Sequence, residues 1–345
     1  MERDFEFDIS IVVPAYNEEE VLPEFHRRIR AVTHELEYAV ELVFVNDGSR
    51  DNTLTVLNEI KERDPHTAIV NLTRNFGKEI ALTAGLDHAR ASQAVIVIDA
   101  DLQDPPELIP QMVALWQTGY DVVYAKRSSR AGESIIKRST AHLFYRVIQR
   151  LAGRVRIPED VGDFRLLSRR ATDDLLRLRE SHRFMKGLFA WIGYPQKEIL
   201  YERDARFAGK TKWNYWQLWK FSIEGITSFT TAPLTLATYL GLLTAIGGFL
   251  YGLFIVYKTL VYGEPVQGFP TLITTILFLG GVQLITLGVL GEYLGRIFNE
   301  TKQRPLYLVE HYQAPKVRQH DLFDPANFRM PNPRERKETL DSALS

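Results

Sequence analysis

The stretch Ala94-Val95-Ile96-Val97-Ile98-Asp99-Ala100-Asp101-Leu102-Gln103-Asp104-Pro105-Pro106 joins a short apolar run to an acidic cluster and a proline pair. An apolar run of this length, unbroken by polar residues, reads as a strand buried on both faces. Two carboxylates one residue apart at the end of such a strand can hold a hard divalent cation. Magnesium or manganese takes a few carboxylate oxygens and keeps positions open for a diphosphate. Gln103 offers a third oxygen, and Pro105 and Pro106 suit the start of a helix. The alternative for Asp99-Ala100-Asp101 is a strand-end Asp followed by a helix N-cap.

Working outward, the same alternation recurs. Ile9-Ser10-Ile11-Val12-Val13-Pro14, Glu41-Leu42-Val43-Phe44-Val45 and Ala68 to Leu72 read as further buried strands. Helical spacing fills Glu18 to Leu36, Thr53 to Arg63 and Gly77 to Ala89 between them. Continuous apolar strands separated by amphipathic helices imply an α/β domain, a mostly parallel sheet covered on both faces. Ligands bind such sheets beyond the carboxyl ends of the strands. Tyr16-Asn17-Glu18, Asp47-Gly48-Ser49, Arg74-Asn75-Phe76-Gly77-Lys78 and Asp99-Ala100-Asp101 all fall there, so four turns converge on one site. Pro14 ends its strand without an N–H, and Tyr16 can offer a flat ring to a base. Asp47 can accept from the imide N–H of uracil, although Asp47-Gly48-Ser49 is also a plain turn leading into a helix cap.

The 345 residues suffice for one sizeable domain and an additional part. The formal charge of -1 favours no polyanionic partner, so no nucleic acid is expected. The absence of cysteine excludes disulfides, thiolate zinc clusters and thiol catalysis. Met1 to Ser10 is acidic and lacks an apolar signal core, so the N-terminal domain is expected to stay where it is made. Gly225 to Tyr257 and Pro265 to Gly291 carry no charge. Each exceeds the roughly 20 residues that a helix needs to cross a bilayer, the alternative being a pair of long core helices. Lys210, Lys212 and Lys220 precede the first stretch, and Arg296, Lys302 and Arg304 follow the second. The positive-inside rule therefore places both long ends in the cytoplasm.

These features divide the chain into a catalytic-type domain over 1–206, a juxtamembrane amphipathic helix over 207–231 and a first span over 232–257. A short outer loop over 258–270, a second span over 271–295 and a cytoplasmic tail over 296–345 complete it. Trp213, Tyr215, Trp216 and Trp219 mark the juxtamembrane helix as a headgroup-level segment. Residues 134–154 alternate an apolar face with Lys137, Arg138, Arg146 and Arg150, which suits either an interfacial helix or an ordinary surface helix. Gly248 and Gly252, and Gly291 and Gly295, have the spacing of close helix contacts, between the two spans or between two copies in a homo-oligomer. The polar, proline-containing tail after Tyr312 is expected to be mobile and without a catalytic role.

Taken together, Val13-Pro14-Ala15-Tyr16-Asn17-Glu18, Val45-Asn46-Asp47-Gly48-Ser49 and the Asp99 to Pro106 stretch resemble the inverting family-2 glycosyltransferases of GT-A fold. With two C-terminal spans the pattern resembles their polyprenyl-phosphate branch, related to dolichyl-phosphate mannose synthase and nearest the bactoprenol glucosyltransferases. The likeness runs over roughly residues 8–310. It implies a Rossmann-like, mixed and mostly parallel sheet domain that binds a nucleotide sugar, UDP-glucose by the nearest likeness, through Pro14, Tyr16, Glu18, Asp47, Lys78, Asp99 and Asp101. It implies a divalent metal, Mg2+ or Mn2+, on Asp99, Asp101 and Gln103. It also implies a polyprenyl (undecaprenyl) phosphate acceptor held by Arg127, Lys137 or Arg138, and Arg206.

Asp101, Asp163 and Arg127 are the residues implied to carry catalysis. Asp163, within Val161-Gly162-Asp163-Phe164-Arg165, would act as base, orient a sugar hydroxyl or fix an arginine. Arg206 to Trp213 resembles a family element in which Thr211 replaces the usual Ser, and Asn46 stands where many relatives have Asp. The implied location is the cytoplasmic membrane, multi-pass, with the catalytic domain and both termini in the cytoplasm. The same scaffold would also serve another sugar, such as mannose or an aminoarabinose. A processive polysaccharide synthase fits less well, because neither a Q-x-x-R-W element nor further spans are present.

Overall fold

The computed structural model describes residues 7–128, 158, 161–202, 232–262 and 268–316. The 134–154 helix, the 207–231 helix and the basic residues Lys137, Arg138 and Arg206 lie outside the described residues. Strands β1 (Phe7–Ala15), β2 (Val40–Asn46), β3 (Thr67–Leu72) and β4 (Ala91–Val97) alternate with helices α1 (Leu22–Thr33), α2 (Thr53–Arg63) and α3 (Lys78–His88). A 3-10 turn, Pro106–Leu108, leads into α4 (Ile109–Gln117). Then come β5 (Val122–Arg127), β6 (Val161–Ser168), α5 (Arg169–Arg177), α6 (Met185–Trp191) and β7 (Gln196–Tyr201). Two long helices, α7 (Ala232–Tyr262) and α8 (Phe269–Thr301), precede a last strand, β8 (Val309–Gln313).

All eight strands form one sheet in the order β7-β5-β6-β4-β1-β2-β3-β8. The β4-β1-β2-β3 block is parallel, as the buried apolar runs require, while β6 and β8 enter antiparallel. Side chains alternate across the sheet, and both alternations are apolar. Ile9, Ile11 and Val13 face a core with Phe25, Phe44 and Met112, whereas Val12, Val43 and Val45 face a second core with Leu82, Leu86 and Leu188. The α3 helix lies very close to the sheet. A Cβ at Gly85 would come within 2.3 Å of Val12 Cγ1 and 3.0 Å of Val45 Cγ2. That close approach fixes the position of Lys78 at the start of α3.

The α7 and α8 helices are 31 and 33 residues long, roughly 45–50 Å at the rise of an α-helix. Their apolar windows are 6% and 0% buried within the chain. Leu236, Phe249, Leu253, Leu284, Leu287 and Leu294 all stand exposed. Two core helices would be covered by protein; these two are not, so their apolar surface associates with a membrane. The two helices pack together, yet among the described residues a Cβ at Gly248, Gly252, Gly291 or Gly295 would meet nothing within 4 Å. Among those residues their contact is not made through these glycines.

The chain beyond α8 does not trail away from the domain. Glu300 accepts from the Ser181 backbone N–H at 2.7 Å, and Asn299 meets His182 at 3.0 Å. The chain then enters the sheet as β8 beside β3, with Tyr307, Val309 and Tyr312 against the second core. Lys61 Nζ donates to Ala314 O at 2.6 Å, and Lys316 N donates to Pro65 O at 2.7 Å. Of the segment read from sequence as tail over 296–345, residues 296–301 continue α8 and 309–313 form an edge strand that covers β3, while residues 317–345 lie outside the described residues.

Candidate active site

Hydrogen bonds between consecutive loops build the site at the carboxyl end of the parallel block. β1 ends at Ala15, whose carbonyl accepts from Asp47 N at 2.9 Å. The loop after β1 turns at Asn17, with φ of 53°, a region that asparagine tolerates better than most residues. Asn17 N donates to Ser49 Oγ at 3.0 Å, and Arg50 N donates to Asn17 Oδ1 at 2.8 Å. Glu18 N donates to Thr53 Oγ1 at 2.9 Å. Tyr16 and Glu18 are thereby carried on a loop whose backbone is tied to the next one.

Asp47 is 3% exposed, and both its oxygens are engaged by the third loop. Oδ1 accepts from Phe76 N at 2.7 Å and Oδ2 from Gly77 N at 3.0 Å. Burial pushes its pKa up, and these two N–H groups work against that. Gly48 has φ of 62°, and a Cβ there would lie 2.4 Å from Arg74 C and 2.5 Å from Asn75 N. In this structure Asp47 therefore shapes the β3–α3 loop, in addition to whatever it offers a base.

Beyond β4 the acidic cluster is set against Lys78. Its ammonium lies 2.7 Å from Asp99 Oδ2 and 2.5 Å from Asp163 Oδ2, while its side chain keeps 40% exposure. Burial lowers the Lys78 pKa, but the two carboxylates outweigh it and hold the amine charged. Asp99 is pushed up to about 6 by burial against the pull of Lys78, with Asp163, Asp104 and Asp101 adding to the rise. For Asp163 burial works the other way from its neighbours: Lys78, Lys186 and Arg165 outweigh it and keep the carboxyl below the usual range. Asp101 Oδ1 accepts from Gln103 N at 3.2 Å across Leu102, which has φ of 57° and is 1% exposed. A leucine in this region costs about 1–2 kcal/mol, and its burial in the core holds the loop there. Among the described residues no three histidine, aspartate or glutamate side chains close on one point as a ready metal cage.

A second group lies at the ends of β5 and β7. The Tyr201 hydroxyl donates to Asp104 Oδ1, and Arg127 bears electrostatically on both. Gly162 sits between them, its added Cβ falling 3.6 Å from Asp104 Oδ2 and 3.8 Å from Arg127 Nη2. The structure thus brings Lys78, Asp99 and Asp163 into direct contact, links Asp101 with Gln103, and sets Arg127 beside Asp104. Pro14 is the penultimate residue of β1, and Tyr16, Glu18 and Asp47 lie on the loops that follow β1 and β2.

Sequence reasoning left Glu79, Asp104, Arg165 and Tyr201 without roles. Two of these carry a signal in retrospect. Asp104 follows Asp101 at a three-residue spacing in the same acidic stretch. Arg165 shares a strand face with Asp163 by the period of two. Glu79 and Tyr201 carry none, because their place depends on packing.

Two family descriptions match the chain: glycosyl transferase family 2 over residues 10–176, and the GtrB C-terminal hairpin over residues 232–297. An uncharacterized glycosyltransferase of Synechocystis sp. is 52% identical over 88% of this chain and 94% of its own length. A bactoprenol glucosyl transferase of Shigella phage SfV is 49% identical over 88% of this chain and 98% of its own. A prophage bactoprenol glucosyl transferase homolog of Escherichia coli is 47% identical over 88% and 98%. The chain belongs to glycosyl transferase family 2 and is a glycosyltransferase with a GtrB-type C-terminal hairpin.

Proposed function

We propose that this glycosyltransferase moves glucose from UDP-glucose to a polyprenyl phosphate, undecaprenyl phosphate in bacteria, at the cytoplasmic face of the membrane. The observation that carries the reading is the 49% identity to bactoprenol glucosyl transferases over nearly their whole length. The two lipid-facing helices supply the location that such an acceptor requires. The return of the chain into the sheet as β8 after two spans supports an orientation with both ends on the catalytic side. The glycine pairs not used between α7 and α8 leave a face on which copies could associate as a homo-oligomer.

The reaction in this reading is one in-line displacement. A lipid phosphate oxygen attacks the anomeric carbon, the bond to the diphosphate oxygen breaks, and UDP leaves with inversion. The nucleophile is already anionic at neutral pH, so no strong base is needed. This agrees with Asp163, whose carboxylate is ion-paired to Lys78 and held ionised. Asp163 serves here to orient Lys78, which faces the donor diphosphate. Arg127, with Lys137, Arg138 and Arg206, draws the acceptor phosphate towards a donor that otherwise repels it. Tyr16 and Glu18 hold the nucleoside end, on loops that Asp47 helps to shape.

The donor set also suits a divalent metal. Asp163 Oδ1 is buried and accepts no hydrogen bond among the described residues. Three carboxylates, Asp163, Asp104 and Asp101, crowd Asp99 against one lysine, an excess of negative charge that a hard cation would relieve. Mg2+ or Mn2+ on Asp99, Asp101 and Gln103 would neutralise charge on the leaving diphosphate.

The test is incubation of the full chain with undecaprenyl phosphate and labelled UDP-glucose, UDP-galactose or GDP-mannose. Label entering the organic phase from UDP-glucose is the expected result. Transfer from another donor alone would reassign the sugar, and label found only in a water-soluble polymer would overturn the lipid acceptor.

A further inference from the structure

Asn46, Asn71 and Glu310 form a line of side-chain hydrogen bonds that runs from the strand after the membrane hairpin to the first loop of the site. Ala15, Asn46 and Asn71 occupy one row at the carboxyl end of β1, β2 and β3. Asn71 Nδ2 donates to Glu310 Oε2 on β8 at 2.8 Å. Asn46 Nδ2 donates to Asn71 Oδ1 at 2.7 Å. Asn46 Oδ1 accepts from Ser49 N at 3.3 Å, and Ser49 Oγ accepts from Asn17 N at 3.0 Å. Tyr16 and Glu18 flank Asn17.

The order of donors along this line has a definite sense. An asparagine amide can face either way, and only its partners decide which end is donor and which acceptor. A glutamate carboxylate is acceptor only. Placed at the outer end, Glu310 requires Asn71 to point its amino group outward and its oxygen inward. Asn71 then requires Asn46 to turn its amino group to β3 and its oxygen to Ser49. Reversal of both amides would set an NH2 group against the Ser49 N–H. Asn46 and Asn71 are 3% and 8% exposed, so water cannot readily replace the inner links.

We infer that Glu310 is a positioning residue for the donor nucleotide, acting through Asn71 and Asn46 on the Ser49–Asn17 contact that holds the Tyr16–Glu18 loop. This rests on the proposal that the loop binds the uridine nucleotide. It also gives the strand beyond the second span a share in donor binding.

The test measures UDP affinity by titration calorimetry on the full chain in nanodiscs with Mn2+, together with thermal unfolding. Glu310→Lys, which presents only donors, should weaken UDP binding about tenfold by reversing the line. Glu310→Gln, which can still accept from Asn71, should stay within about twofold of the parent chain. Lys61→Met loosens the same segment at Ala314 without touching the line. It should lower the melting temperature and leave UDP affinity within about twofold. Equal UDP affinity in the Glu310→Lys and parent chains would overturn the inference, as would Glu310→Gln losing as much as Glu310→Lys. So would a loss of affinity in Lys61→Met that matches Glu310→Lys, because docking of the strand alone would then explain it. A parent chain that binds no UDP removes the donor reading itself and the inference with it, a result distinct from the other three.

Discussion

Lys78 and Asp163 meet at 2.5 Å, one from the first turn of α3 and the other from β6, beside Asp99 in the loop that follows β4. The contact joins the two halves of the sheet at the point where the donor diphosphate is proposed to lie. If the two residues act as a unit, removing either should cost nearly what removing both costs. Lys78→Gln and Asp163→Asn should each lower kcat by about a hundredfold, and the double variant should fall little further. Single-turnover transfer to undecaprenyl phosphate measures this. Losses that multiply in the double variant would show two independent roles, and normal turnover in Asp163→Asn would remove it as both base and orienter.

Gly48 sets a separate constraint. Its φ of 62° suits glycine, and a Cβ would press on the backbone of Arg74 and Asn75 at 2.4 and 2.5 Å. Gly48→Ala should therefore destabilise the fold by about 1–3 kcal/mol through the backbone conformation alone. Displacement of residues 74–77 should also strip Asp47 of its two N–H donors. Thermal unfolding and UDP titration should both register the change. An alanine variant with unaltered UDP affinity would mean that this loop does not shape the nucleotide site.

Much of the parallel block was legible from apolar runs and helical spacing. Thr53 to Arg63 forms the helix its spacing implies, and Asp99 follows a buried strand as the apolar run before it requires. The four polar turns do converge, because a parallel sheet leaves its loops no other place. β8 was not legible. Val309-Glu310-His311-Tyr312-Gln313 is short and half polar, as suits an edge strand, and Glu310 finds its partner Asn71 at a separation of 239 residues. No periodicity encodes a pairing at that distance. The same holds for Tyr201 and Asp104, joined by a hydrogen bond between β7 and the loop after β4. Asp47 shows a further limit. Its residue type suggests a base contact, and only the folded chain shows that both oxygens also accept from Phe76 and Gly77.

Glu79 makes stability depend on pH. Burial pushes its pKa from 4.5 up to about 7, with Asp163 adding to the rise and Lys78, the Met185 N–H and Lys186 opposing it. Between these values the folded chain keeps a proton that the unfolded chain has released. The stabilisation is thus complete below about 4.5 and is lost as the pH rises through about 7. Glu79→Gln has no proton to lose there. Melting temperatures taken from about pH 4.5 to about pH 8 should fall more steeply for the parent chain than for the variant. Parallel curves would mean that Glu79 titrates normally.

Asp101 tests the metal. Its Oδ1 accepts from Gln103 N at 3.2 Å, and the buried side chain of its neighbour Leu102 anchors the loop in the core whatever residue 101 is. Asp101→Ala should therefore leave the fold standing. Asp99 would lose one of the three carboxylates that raise its pKa, and with it part of the negative charge proposed to attract the cation. Turnover at saturating Mn2+ should drop by about a hundredfold or more, and direct Mn2+ binding, followed by electron paramagnetic resonance, should weaken in parallel. The two readouts separate two kinds of failure. Lost turnover with unchanged Mn2+ binding would place Asp101 at the donor sugar and not at the metal. Full turnover with full Mn2+ binding would remove it from the site altogether.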